Sequence, residues 1–168
     1  MSAQPFSLPL ERHARRGLPA LDFWRRHQLS DLYRAAAVSA RRLSYTDALE
    51  AWDTSGILDA FADDVVIHVA VHDAPMRGKD VADFLFRVLR EELGEMNVTD
   101  EILEDDKAVV LFETSIDDTS AQGLNVIRLD RSGAIRELTV FFRPLAALSR
   151  IAEVVGARMA ERFGPPPE

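Results

Sequence analysis

Cysteine is absent from this chain, which excludes disulfide staples, thiolate nucleophiles and cysteine-ligated metals, so the fold must stand on its apolar core. Long apolar runs are missing too: none approaches the ~18 residues that a membrane-spanning helix needs, and no membrane partner is expected. Met1 to Leu10, followed by Glu11-Arg-His-Ala-Arg-Arg16, lacks the basic-then-apolar order of a secretory signal, so a cytoplasmic protein is expected. With only eight glycines there is no phosphate-cradling loop, and Ser120 and Ser132 have no Ser-His-Asp pattern near them; no nucleotide or other cofactor is implied. Metal is not expected either. His68 and His72 share a face of one predicted strand, but four residues of strand hold them roughly 13 Å apart, too far to chelate one ion.

What the chain does have is apolar content, 47% of 168 residues, enough for one globular domain. Its net charge of −8 is unevenly spread: residues 1–42 carry eight arginines against three acids, +5, which leaves −13 for the rest. The arginines come as scattered pairs without interleaved aromatics, so nucleic acid is not the expected partner. A basic segment docking on its own acidic body or on a neighbouring subunit explains the asymmetry better.

Pro5, Pro9, Gly17 and Pro19 make residues 1–20 an irregular arm ahead of a single domain over 21–164. From Leu29, apolar residues recur at helical spacing through Leu32, Tyr33, Ala36, Ala40 and Leu43, and the phase continues through Tyr45 and Leu49 to Trp52. Either one bent helix or two fits, since Ser44-Tyr-Thr-Asp47 can open a second. A short helix is predicted over Ile57–Phe61. A β-branched strand follows over Val65–His72, with Val65, Ile67, Val69 and Val71 on one face and Val66, His68, Ala70 and His72 on the other. Gly78 leads into a helix with a stripe of Val81, Phe84, Leu85, Val88 and Leu89. Strands are predicted over 107–116, 122–130 and 135–143, joined by turns at Asp117–Ser120 and Asp130–Gly133, with a further strand near 97–103. A helix over 144–163, opened by Pro144, carries Leu148, Ile151, Val155 and Met159 on one face. Strands such as Val109-Val110-Leu111-Phe112 are apolar on both faces, which predicts helices over one side of the sheet and a second subunit, a homodimer, over the other.

Two phrases point further: Phe61-Ala-Asp-Asp64, running on through the strand to Arg77-Gly78 at a helix start, and Gly123 to Phe141-Phe-Arg-Pro144 around a hairpin. Together they resemble the nuclear transport factor 2-like superfamily, nearest to the SnoaL-like polyketide cyclases and the ketosteroid isomerases. The resemblance spans about Arg41 to Pro144. It implies an α+β fold in which a cone-shaped, curved and mainly antiparallel sheet is wrapped by helices, as in the cystatin-like folds, here with an extra C-terminal helix. It also implies a pocket for a small, largely apolar molecule, which Trp52, Val69, Leu111, Ile127 and Phe142 would line. Ungapped matching puts Tyr45 at the oxyanion-hole tyrosine of ketosteroid isomerases and Asn125 at their protonated aspartate, whose role as a neutral donor is a known pattern; an amide can donate without any pKa shift. Val69 takes the place of their general base, so the usual double-bond isomerisation is disfavoured, and Val140 stands where limonene epoxide hydrolases carry an aspartate. Val66-Ile-His-Val69 matches the SnoaL-like phrase and makes His68 a third candidate. Two functions are open: a cyclase, isomerase or dehydratase acting through Tyr45, Asn125 or His68, and a non-catalytic dimeric ligand-binding or scaffold module.

Overall fold

The computed structural model describes residues 42–164; the irregular arm and most of the first predicted helix lie outside the described residues. Within them the chain runs α1 (Ser44–Glu50), α2 (Thr54–Asp59), β1 (Phe61–His68), β2 (Met76–Arg77), α3 (Lys79–Glu92), β3 (Asn97–Glu104), β4 (Lys107–Ile116), β5 (Thr119–Leu129), β6 (Ile135–Arg143) and α4 (Leu145–Phe163). This is a mixed α+β arrangement. The six strands form one open sheet in the order β2-β1-β6-β5-β4-β3, antiparallel throughout except for the parallel pair β1 and β6.

Turn chemistry sets the register. Asp105 and Asp117 open the β3–β4 and β4–β5 turns at φ 51° and 49°, a left-handed geometry that a short polar side chain tolerates and a two-residue hairpin favours. Gly78 enters α3 at φ 86°, where a β-carbon would be strained. Cross-strand rows then follow from the pairing. On one face lie Ile67, Leu138, Ile127 and Ala108; then Val140, Asn125 and Val110; then Phe142, Gly123 and Phe112. Gly123 is required there, because a β-carbon would run into the Phe112 ring and the Phe141 carbonyl. Phe112 and Phe142 instead meet over the glycine with ring centroids 6.0 Å apart.

α3 packs on β1 and β2, and α4 packs on β4, β5, β6 and α3. Both helices present their apolar stripes to this face: Leu85 and Val88 from α3, Ile151 and Val155 from α4, all buried. Arg158 bridges from α4 to Glu91 and Glu92 at the end of α3, and Arg150 reaches Asp117 in the β4–β5 turn at 2.8 Å.

Several boundaries differ from those the sequence predicts; β5 opens at Thr119, inside the turn expected over Asp117–Ser120 and ahead of the predicted 122–130, because Thr119 and Ser120 already pair with Ile116 and Ser115 on β4. α1 opens at Ser44 after an extended Leu43, as the alternative of a helix opened by Ser44-Tyr-Thr-Asp47 has it, and it ends at Glu50, short of Trp52, whose φ of 50° stops it. α2 starts and ends earlier than Ile57–Phe61, and β1 likewise covers Phe61–His68 in place of Val65–His72. The reason is pairing: Phe61 already faces Ile135 on β6, and the ladder ends at His68 opposite Thr139. Beyond it the chain turns so that Met76 can fold back onto Ile67.

Candidate functional site

Between the sheet and helices α3 and α4 the chain encloses a cavity of about 330 Å³, at the small end of the range for ligand sites. Its wall is apolar almost throughout. Ile67, Leu138, Val140, Phe112 and Phe142 supply the sheet side; Val81, Leu85, Phe86 and Leu89 come from α3, and Leu148, Ile151, Val155 and Met159 from α4. Trp52 borders it too, but its indole N–H is already engaged, donating to the Gly94 carbonyl at 3.0 Å. Among the described residues, the polar side chains remaining along the wall are those of Asn125, His72 and Arg77, and no aspartate, glutamate or lysine borders the cavity.

Asn125 is the buried one, at 3% exposure. Its Nδ2 donates to the Tyr45 hydroxyl at 2.8 Å, a bond between an α1 side chain and the middle of β5. Tyr45 itself is sealed in the core, stacked on Phe61 with centroids 5.8 Å apart, and does not border the cavity. Burial pushes its phenol above the ordinary tyrosine value, because the charged phenolate would have no water around it. Tyr45 therefore keeps its proton. The pair expected to act as two parallel donors toward a ligand is arranged in series: Tyr45 holds the amide in place, and the other edge of the amide is what the cavity can use.

No family model matches the chain, and no curated protein does. Solved structures do. A Silicibacter pomeroyi protein described as having a cystatin-like fold superposes with a TM-score of 0.65 at 19% identity, over 68% of this chain and 82% of that one. A steroid delta-isomerase from Pseudomonas aeruginosa gives 0.64 at 20% identity, over 71% and 88%. An NTF2-like protein of unknown function from Mesorhizobium loti gives 0.53 at 18% identity, over 60% and 85%. The fold is that of the nuclear transport factor 2-like proteins.

Within this fold the expected site residues divide in two. Asn125, Trp52, Val69 and Phe142 border the cavity; Tyr45, His68, Leu111 and Ile127 do not. His68 lies on the opposite face of the sheet with its Nε2 3.8 Å from Glu137, because alternation along β1 turns Ile67 inward and His68 outward. Leu111 is turned outward by the same alternation, between inward Val110 and Phe112. Ile127 has the inward orientation but is fully buried under the core. Two polar wall residues, His72 and Arg77, were not anticipated as site residues. Alternation over the predicted strand Val65–His72 puts His72 on the face of His68, opposite Val69; the ladder instead ends at His68 and the chain turns at Ala70 and Val71, which brings His72 to the cavity wall. Among the described residues no group of three His, Asp or Glu side chains could hold a metal ion, and no helix is long and apolar enough to cross a membrane.

Proposed function

We propose that this domain encloses one small, largely apolar, cyclic molecule and holds a single oxygen function of it on Asn125, in a cytoplasmic homodimer. One observation carries the reading: a cavity of about 330 Å³ with an apolar wall and a buried, pre-positioned amide in it. Trp52, Phe142 and α4 line that space without filling it, which favours ligand binding over a purely structural scaffold. The SnoaL-like phrase Val66-Ile-His-Val69 supports a cyclic ligand on the polyketide cyclase side of the resemblance. Binding is favoured over cyclase, isomerase or dehydratase chemistry by the wall itself, where Val69 stands at the base position of the ketosteroid isomerases the chain resembles and no carboxylate among the described residues replaces it. Dimerisation is supported by the other face of the sheet. There Leu111, Leu124 and Phe141 form one cross-strand row, with Phe141 54% exposed and Ile102 57% exposed nearby.

Calorimetric titration with 2-naphthol and with the larger phenol equilenin tests the reading. Asn125→Leu should weaken either phenol by about 0.5–1.5 kcal/mol, the net worth of one neutral hydrogen bond. Equal affinities for wild type and variant, or no binding at millimolar phenol, would defeat it.

A further inference from the structure

The lining residues that solvent also reaches fix where the cavity opens. Those exposed are Ala70, Val71, Pro75, Arg77, Phe163 and Gly164, so the mouth lies between the 70–77 segment and the end of α4. α4 changes character as it reaches that mouth. Its buried residues, Ala147, Ile151 and Val155, all precede Gly156, and none of its residues from Gly156 onward is buried. Even so, Met159, Ala160 and Phe163 border the cavity. The last two turns therefore wall the mouth without the apolar anchoring that fixes the rest of the helix.

What holds those turns lies at the surface. Arg158 pairs with Glu91 and, at 3.2 Å, with Glu92 at the end of α3, and Phe163 meets Phe84 edge-on with centroids 5.5 Å apart. Arg150, 2.8 Å from Asp117, fastens the first half of the helix separately. Gly156 lies between the two clasps. A β-carbon there would meet nothing within 4 Å, so no close approach requires glycine, and what it contributes is backbone freedom in mid-helix.

We propose that Ala157–Phe163 is a gate over the cavity mouth, pivoting at Gly156 and held shut by the clasp of Arg158 on Glu91 and Glu92. This inference rests on the proposed binding function and adds the route by which ligand enters and leaves. The clasp is partly solvated, with 37% of the Arg158 side chain exposed, so it is weak enough to open in every binding cycle and is screened by salt. Arg158, Glu91 and Glu92 do not border the cavity. Weakening the clasp should therefore change how fast ligand exchanges and leave its affinity unchanged.

Stopped-flow fluorescence of 2-naphthol on the full chain tests the gate. The ligand is neutral, so electrostatic steering does not enter its association rate. Raising salt from about 0.01 M to about 1 M, which shortens the Debye length from roughly 30 to 3 Å, should quicken association and release together in wild type, by about 1.5- to 5-fold, the span of an exposed ion pair. Salting-out alone would quicken association and slow release. Arg158→Gln should show the fast rates already at low salt, with no further response to salt and unchanged affinity, and a variant carrying both Glu91→Gln and Glu92→Gln should match it. Hydrogen exchange on ligand-free wild type needs neither variant nor ligand: amides 157–160, whose helical bonds cross Gly156, should exchange faster in high salt, while those of 151–155 should not. Exchange rates of 2-naphthol indifferent to salt and to Arg158→Gln, or amides 157–160 indifferent to salt, would overturn the gate while the binding function stands. Failure of wild type to bind 2-naphthol would overturn both.

Discussion

Removing one partner of the Tyr45–Asn125 hydrogen bond is not the same as removing both. Tyr45→Phe leaves a buried amide with nothing to hold it, and a cost of about 1–3 kcal/mol is expected in urea unfolding. Asn125→Leu leaves the phenol unpaired, at similar cost. Both changes together replace the pair with apolar groups and should cost less than the sum of the two, giving a coupling of about 0.5–3 kcal/mol in the double-mutant cycle. The phenol also makes stability depend on pH in a defined direction. Its folded pKa lies above the ordinary value, so the folded state keeps a proton that the unfolded chain releases near pH 10. That contribution is complete below about pH 10 and falls away as pH rises beyond it. Wild type should therefore lose unfolding free energy in alkali faster than Tyr45→Phe, a difference that denaturant melts at pH 9 and 11 would reveal; parallel loss in the two proteins would argue against a sealed phenol. At this scale the sequence was partly legible. Asn125 announced itself as an amide among Ile127 and Leu129 on one strand face, but that Tyr45 would spend its hydroxyl on Asn125 depends on the packing of α1 against β5, about which alternation along one strand is silent.

Among the elements, α4 offers a direct test of how the cavity is walled. Gly156 lies on that helix along the cavity, and a β-carbon there would meet nothing within 4 Å. Gly156→Ala should raise stability by about 0.5–1 kcal/mol, since alanine loses less backbone entropy in a helix. Gly123→Ala should do the reverse. Its methyl would collide with the Phe112 ring, and overpacking of about 1–3 kcal/mol should appear as a lower melting temperature together with weaker 2-naphthol binding. Two boundaries beside turns were readable: 107–116 emerged as β4 over those same residues, and 135–143 as β6, whereas β5 begins at Thr119 and not at 122. Boundaries were misread where tertiary pairing decides. Val69 and Val71 continue the alternation of β1, yet they are apolar because they face the cavity from a turn. Helical periodicity likewise ran through Trp52 without registering that its backbone turns left-handed.

For the whole molecule, the outward face of the sheet is the surface to test. Light scattering at tens of micromolar protein should give a dimer mass, and Phe141→Glu should shift it to monomer if Phe141, Leu124 and Leu111 lie at the interface; an interface of this kind should bury roughly 1,000 Å² or more in total. A monomer mass for wild type would remove the homodimer from the proposal. The parallel pairing of β1 with β6 carries a consequence in time. β1 leaves the ribosome early, but the strand that completes its inner edge lies some seventy positions later, Phe61 against Ile135 and His68 against Thr139. Until β6 has been made, the nascent chain holds β1 with only the two-residue β2 beside it, and the far wall of the cavity does not exist. Long-range pairing of this sort is slow because the intervening loop must close first. A chain ending at Asp130 should therefore show no protected β1 amides in hydrogen exchange, and ligand binding should be among the last properties a newly made molecule acquires.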